Sequence, residues 1–515
     1  MSPILARGAS RFAGRRLSVG RLAVSLAAMT LIPAGVAAAA ILPTLPPAVP
    51  GAPLNARWFA SYYDVTLESG GQLARSAFND SVGGAVLSFV VAADTHDCTP
   101  TWGKAYSLDD AAQTFQLDRR VERVRRAGKP LAVSFGGAIN TELAAACSNV
   151  TALTDAYRTV MDRYRIDVMD LDIEGEMLTD KDASLRRGEA VARLQQERRS
   201  NGGSLDVWLT LPVSPQGLTA DAIAEVTRML TAGVDLAGVN VMTMNYGTGG
   251  TGASLSSLTA DALQATDTQL TALWQAQRIA LPQGGAWALL GATPMIGQND
   301  SDGEKFTIDD ARALDAFATA HGMARLSMWS LNRDRTCGTN YPNVTVVATS
   351  CSGVEQAGLS FASLLAQGYA GSPSGRPAPV VKADNVPDNP KTSPFPIWSS
   401  AAYYSAGVMV VWQGSVYVSK WWNEGGPAPD DPSLDASSSA WTYLGPVLAS
   451  DIPFALPTLP PGTYPEWSAT TLYNQGDRVM WNGTGYEARW WSRGQSPDRS
   501  VLDHDYSPWK LITAG

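Results

Sequence analysis

From residue 56 to about residue 368 the chain alternates short β-branched or apolar runs with stretches of helical periodicity. Eight runs stand out: Trp58–Val65, Ala85–Ala92, Leu131–Phe135, Val168–Ile173, Leu205–Leu211, Leu236–Met244, Ala288–Pro294 and Arg325–Leu331. Between them lie segments such as Leu108–Ala127, where Val121, Val124 and the alanines recur at helical spacing. Strands separated by helix-length connections pair in parallel, because the chain must cross back before the next strand begins. An α/β fold follows. Eight units over roughly 310 residues predict a (β/α)8 barrel. A doubly wound open sheet is the alternative that periodicity does not separate from it.

The remainder divides around this region. Residues 369–395 and 446–463 are rich in Pro, Ser, Gly and Asp and read as linkers. After each linker the same pattern appears. Trp398, Tyr404, Gly407, Val410, Trp412, Gly414, Tyr417, Trp421, Trp422 and Gly425 return as Trp467, Tyr473, Gly476, Val479, Trp481, Gly483, Tyr486, Trp490, Trp491 and Gly494. Each pair is offset by 69 (467 − 398 = 69), while Trp441 and Trp509 close the copies one residue out of step. So regular a spacing marks an internal duplication. Two small, cysteine-free, β-rich modules are expected, at 396–445 and 464–515. Val408 in the first stands where the second has Asp477.

At the other end, Arg7, Arg11, Arg15, Arg16 and Arg21 precede a largely apolar stretch, Leu22–Ala40, that ends in alanines. Residues 1–40 therefore read as an export signal, followed by a Pro-rich linker at 41–55. A retained membrane anchor is the competing reading, since the stretch approaches a spanning length of roughly 20 residues. Arg15-Arg16 raises twin-arginine export, although the residues after it fit that signal poorly. Cleavage leaves a protein expected to be extracellular, with no stable membrane association. The four cysteines, Cys98, Cys147, Cys337 and Cys351, suit an oxidising compartment. Four allow three pairings; Cys337 with Cys351 would close a short loop and leave Cys98 with Cys147. No C-x-x-C spacing and three histidines in the chain argue against a metal site, and no cofactor is expected. A formal net charge of −9 gives no support to a nucleic-acid partner.

The fourth run carries the chemistry. It reads Asp167-Val168-Met169-Asp170-Leu171-Asp172-Ile173-Glu174. Side chains at i, i+2 and i+4 share one face of a strand, so Asp170, Asp172 and Glu174 point together while Met169, Leu171 and Ile173 face the helices. Asp167 falls out of that phase and reads as structural. Acids this close do not all ionise, and their pKa values are driven apart. Glu174 comes last, at the end of the strand where barrel active sites are built. A G-x-S-x-G serine hydrolase motif is missing, as are the histidine ligands of a metal-dependent deacetylase.

The D-x-x-D-x-D-x-E run resembles the signature of glycoside hydrolase family 18, and other motifs follow in order. Ser134-Phe135-Gly136-Gly137 is similar to the family's S-x-G-G, and Met244-Asn245-Tyr246 to its M-x-Y. Trp329 resembles the strand-eight tryptophan that floors the subsite for the cleaved sugar. Asn245 stands where many relatives carry Asp. The resemblance implies a chitinase acting on chitin or chito-oligosaccharides by substrate-assisted, retaining chemistry. Most retaining glycosidases set two carboxyl groups roughly 5 Å apart across the bond, and same-face acids on one strand do not straddle it that way. The implied roles are Glu174 as acid, Asp172 as the group orienting the substrate's acetamido, Asp170 as its proton-sharing neighbour, and the Tyr246 hydroxyl on the acetamido oxygen. Gln298, Asn299 and Asp300 are further sugar contacts expected at the same mouth, while Met242 and Met295 line the barrel.

The two repeats resemble carbohydrate-binding module family 5/12, through W-x5-Y-x2-G, then V-x3-G-x2-Y, then the paired Trp. Exposed aromatics stack on sugar faces, and Trp421, Trp422, Trp490 and Trp491 are the candidates, with Tyr417 and Tyr486 next. Trp398, Trp467, Trp441 and Trp509 are expected in the cores. Two readings compete with a chitinase: an endo-β-N-acetylglucosaminidase acting on N-glycans, and a chitin-binding lectin on an inactive barrel. The presence of Glu174 argues against the second.

Overall fold

A computed structural model describes residues 57–512 except 69, 81–82, 248–253, 340, 342–345, 374–386, 401 and 498–506. The expected signal, the Pro-rich segment and residues 374–386 of the first linker lie outside the described residues. Eight parallel strands form a barrel: β1 (Trp58–Asp64), β2 (Gly84–Asp94), β3 (Leu131–Gly136), β4 (Val168–Asp172), β5 (Asp206–Ser214), β6 (Leu236–Met242), β7 (Leu290–Thr293) and β8 (Arg325–Met328). Each pairs with the next in sequence, and β1 pairs with both β2 and β8. That last pairing closes the sheet and excludes the open doubly wound alternative.

The outer ring consists of α1 (Leu108–Phe115), α2 (Leu117–Arg126), α3 (Val150–Tyr164), α4 (Lys181–Ser200), α5 (Ala220–Thr231), α6 (Leu255–Ala276), α7 (Ile308–His321) and α8 (Phe361–Leu365). Side-chain caps at Ser107, Asn149, Asp180, Thr219, Ser254, Thr307 and Ser360 fix where these helices start. The segment expected as one helix over Leu108–Ala127 is two, because Gln116 takes a left-handed conformation with φ 52°. Among the described residues no α-helix separates β1 from β2; three 3-10 turns, Val65–Leu67, Gly70–Arg75 and Ala77–Asp80, make that connection. An antiparallel strand, Asp97–Trp102, runs back along β2. Cys98 is bonded to Cys147, and Cys337 to Cys351. No described helix is long and apolar enough to cross a membrane.

The two repeats fold alike. Strands β9 (Met409–Trp412), β10 (Ser415–Ser419) and β11 (Trp441–Pro446) form an antiparallel sheet. Strands β12 (Arg478–Trp481), β13 (Thr484–Ala488) and β14 (Trp509–Leu511) repeat it in the same register. Each hairpin turns on two residues with positive φ, Gln413-Gly414 and Asn482-Gly483, the conformation a tight two-residue turn needs. The cores are Ala402, Tyr404, Val410, Tyr417 and Trp441 in one copy, and Tyr473, Val479, Tyr486, Ala488 and Trp509 in the other. Tyr417 and Tyr486 are thus buried in the module cores rather than offered to a sugar. Neither linker is a free spacer where it is described. Asp388 accepts from the amides of Gln413 and Gly414, Phe454 donates its amide to Ser393, and Leu459 donates its amide to Gly483.

Candidate active site

The barrel interior is polar at its centre. Asp170 is fully buried and accepts four hydrogen bonds: from the Tyr62 hydroxyl at 2.8 Å, Ser134 Oγ at 2.7 Å, Thr210 Oγ1 at 2.7 Å and Arg325 Nη1 at 2.6 Å. Arg325 is equally buried, so the pair satisfies two charges that would each be costly alone. Asn240 extends the network through Thr210 and Thr293. Met169 and Leu171 face outward and are fully buried beneath the helices, as the period-two phase requires.

Two residues further along β4, Asp172 is 4% exposed and opens onto a pocket at the C-terminal end of the barrel. Glu174, just past the strand in extended conformation (φ −130°), forms the pocket's more open side. The Asp172 and Glu174 carboxyls interact electrostatically across the mouth of the barrel. Burial pushes the Asp172 carboxyl well above the usual range, and the charges of Glu174 and Asp170 push the same way against the pull of Arg325. Burial also raises Glu174, and the neighbouring Asp172 side chain pulls the other way. The pair therefore retains a proton where isolated carboxylates have lost theirs. Asp172 Oδ1 is buried without a hydrogen-bond partner, an acceptor available to a donor entering the pocket.

The pocket's apolar wall is Trp329, Phe89 and Tyr62, with Met242, Met244 and Met295 beside them. Trp329 stacks on Phe89 with ring centroids 5.4 Å apart. Asn245 and Asp300 form the polar edge. The Asn245 side-chain oxygen accepts from the amides of Asp300 and Ser301, and its nitrogen donates to the Asp300 carboxylate.

Several expected contacts lie elsewhere. The Tyr246 hydroxyl turns to Thr259 Oγ1 at 3.4 Å on α6, away from the pocket wall. Gln298 is 3% exposed, with its side-chain nitrogen donating to the carbonyls of Asn299 and Glu304. Asn299 is likewise held inward, by the Met295 and Gly297 carbonyls. Ser134 spends its hydroxyl on Asp170. Gly136 and Gly137 serve packing: both have positive φ, a Cβ on Gly136 would lie 2.1 Å from the Asp172 carbonyl oxygen, and one on Gly137 2.9 Å from the Phe89 ring. Ala138 reaches the pocket instead. Tyr62, Thr210 and Arg325 were missed from sequence. Arg325 had a signal, because it shares the i, i+2, i+4 face with Ser327 and Trp329. Among the described residues no group of His, Cys, Asp and Glu is arranged to hold a metal ion.

In the repeats, Trp421, Trp422, Trp490 and Trp491 are 41%, 43%, 42% and 61% exposed, large aromatic faces left open to solvent. Tyr403 lies nearly parallel to Trp422, with ring centroids 6.0 Å apart. Trp441 and Trp509 are buried, and Trp398 and Trp467 pack edge-on against Trp412 and Trp481.

Residues 466–510 match the model of carbohydrate-binding module family 5/12. Over 289 residues the chain is 36% identical to the probable bifunctional chitinase/lysozyme of Escherichia coli strain K12, covering 55% of this chain and 31% of that one. It is 34% identical over 283 residues to endochitinase 11 of Metarhizium anisopliae, covering 54% and 52%. The chain thus spans no more than about half the length of these relatives. The catalytic domain of the hyperthermophilic chitinase from Pyrococcus furiosus shares the barrel fold, with a TM-score of 0.51 at 24% identity over 62% of this chain and 96% of that structure.

Proposed function

We propose that this chain is an exported chitinase that hydrolyses β-1,4 linkages between N-acetylglucosamine units with retention of configuration. The observation that carries the reading is the Asp172–Glu174 pair: two neighbouring carboxyls lining the pocket at the barrel mouth, one with a buried oxygen that has no partner. Glu174 donates its proton to the glycosidic oxygen as the bond to the anomeric carbon breaks. The 2-acetamido oxygen of the substrate forms the new bond to that carbon, giving an oxazolinium ion. Asp172 accepts the acetamido N–H through Oδ1 and offsets the positive charge that develops. Water, deprotonated by Glu174, then opens the ring. Trp329 floors the sugar.

Asp170 takes a different part from the proton-sharing one the family resemblance implied. Its four donors engage it, so it acts through position and charge. A repeat that engages the polymer holds the barrel near it, since linked sites raise local concentration without a tighter single contact. The relatives named for chitin and the module match at 466–510 support that substrate, and the arginine-led apolar stretch near residue 22 supports export.

The test follows soluble chito-oligosaccharides by NMR in the parent and in Glu174→Gln. The parent is expected to release the β-anomer first and to leave cellulose untouched, and Glu174→Gln is expected to lose roughly 10²–10⁴-fold in kcat. Initial release of the α-anomer, or cellulose cleavage at comparable rate, rejects the mechanism.

A further inference from the structure

The outer ring of the barrel has a gap: β1 returns to β2 through 3-10 turns, with no α-helix among the described residues to cover the strands there. The sheet of the first repeat lies beside that gap. Val411, Val416, Val418 and Leu444 belong to the same continuous apolar core as the barrel, and Met409 packs against it. Thr442 Oγ1 donates to the Ala74 carbonyl, 2.9 Å away in the second 3-10 turn.

Helix α2 supplies the polar half of the contact. Arg119, its side chain 3% exposed, donates to the Pro446 carbonyl at 2.5 Å and to both oxygens of Asp451 at 2.7 and 3.0 Å. Arg123 donates to the Tyr443 carbonyl, and its guanidinium stands 5.2 Å from the Tyr443 ring centre. A Cβ on Gly445 would lie 2.4 Å from the Arg119 carbonyl oxygen, so strand and helix backbones meet here. Within the arginine-rich run Leu117–Arg123 two side chains, Arg119 and Arg123, thus donate to carbonyls of the first repeat's edge strand.

The second repeat shows what this sheet face looks like when it is not docked. At matching ladder positions the first copy has Met409, Val418 and Thr442 across three strands, and the second has Arg478, Glu487 and Lys510. Those three form exposed ion pairs, Arg478–Glu487 and Lys510–Glu487, and the second copy's core stands apart from the barrel's. At these three positions the fold thus carries uncharged residues where it is buried and charged ones where it meets water.

We infer that the duplication has divided its work: the first copy is a fixed wall of the catalytic barrel, standing where the first βα unit lacks a helix, and the second is the separate body that engages polymer. The docking half rests on the contacts alone, while the polymer half rests on the function proposed above.

The test gives the first copy the second copy's ladder, Met409→Arg with Val418→Glu and Thr442→Lys, in the full chain. Because the second copy folds with these residues, β9–β11 are expected to keep their amide protection. Gly70–Arg75 and Leu117–Arg126 are expected to exchange faster, and the barrel's unfolding midpoint to fall by a few degrees. Arg119→Ala with Asp451→Ala leaves the copy's own core untouched and is expected to loosen the same two segments. Unchanged exchange in those segments in both variants overturns the docking. Trp490→Ala with Trp491→Ala, again in the full chain, is expected to reduce retention on insoluble chitin with barrel exchange unaltered. Undiminished retention in that variant overturns the division of work. A parent chain that neither binds nor cleaves chitin would remove the polymer half and leave the docking result standing.

Discussion

Arg325 and Asp170 are both sealed inside the barrel, so each is stable there because the other is present. Replacing Arg325 with Met leaves a buried carboxylate with hydroxyl donors only, and the chain is expected to lose about 3–5 kcal/mol of stability, measured by urea unfolding. The same change removes a positive charge that restrains the Asp172 pKa, so Asp172 is expected to hold its proton to higher pH still. At Glu174 the sign concerns catalysis rather than stability. A general acid works while protonated, so kcat is expected to fall as pH rises through a Glu174 pKa that burial has lifted above its ordinary value. Glu174→Gln should abolish that limb of the pH–rate profile. Tyr246→Phe is expected to leave the profile and kcat close to those of the parent, because the hydroxyl it removes is spent on Thr259 outside the pocket. A large loss there would mean that the ring reorients when substrate binds.

At the scale of elements, the eight strands were legible because each is a short apolar run bounded by helix-length connections. Their inward faces were legible because the strand period is two. The acids of β4 followed directly. What partners them did not: Tyr62, Thr210 and Arg325 come from three other strands, and which side chains meet at the centre depends on the stagger at which the barrel closes. Gln298 was misplaced for a related reason. Strand β7 ends at Thr293, and the chain beyond it pairs back as Gly297–Gln298 with Lys305–Phe306, which carries Gln298 away from the mouth. The split at Gln116 rests on one left-handed residue that helical periodicity does not register. The Cys98–Cys147 bond pins the strand beside β2 to the start of α3 across a separation of 49 residues. Loop-closure entropy puts its removal, as Cys98→Ala with Cys147→Ala, at about 4 kcal/mol. Urea unfolding checks that value, and a loss well below it would mean that the unfolded chain is already compact in this stretch.

On the scale of the whole molecule, the same physics acts at both ends of the barrel with opposite consequences. At the C-terminal end, crowded carboxyls hold a proton that the proposed chemistry uses. At the N-terminal end, Asp167 and Asp206 line a recess, and Asp235 acts electrostatically on Asp206. Burial, with the charges of Asp167 and Asp235, lifts the Asp206 pKa to about 6. A carboxyl whose pKa is higher in the folded state than in the unfolded chain favours folding while protonated. Its contribution is therefore fully present below about pH 4 and declines as pH rises through 6. Asp206→Asn keeps the shape and removes the charge. Thermal unfolding is expected to show a higher midpoint than the parent at pH 7.5 and little difference at pH 4. An equal gain at both pH values would assign the effect to packing, since the carboxylate exists only at the higher one.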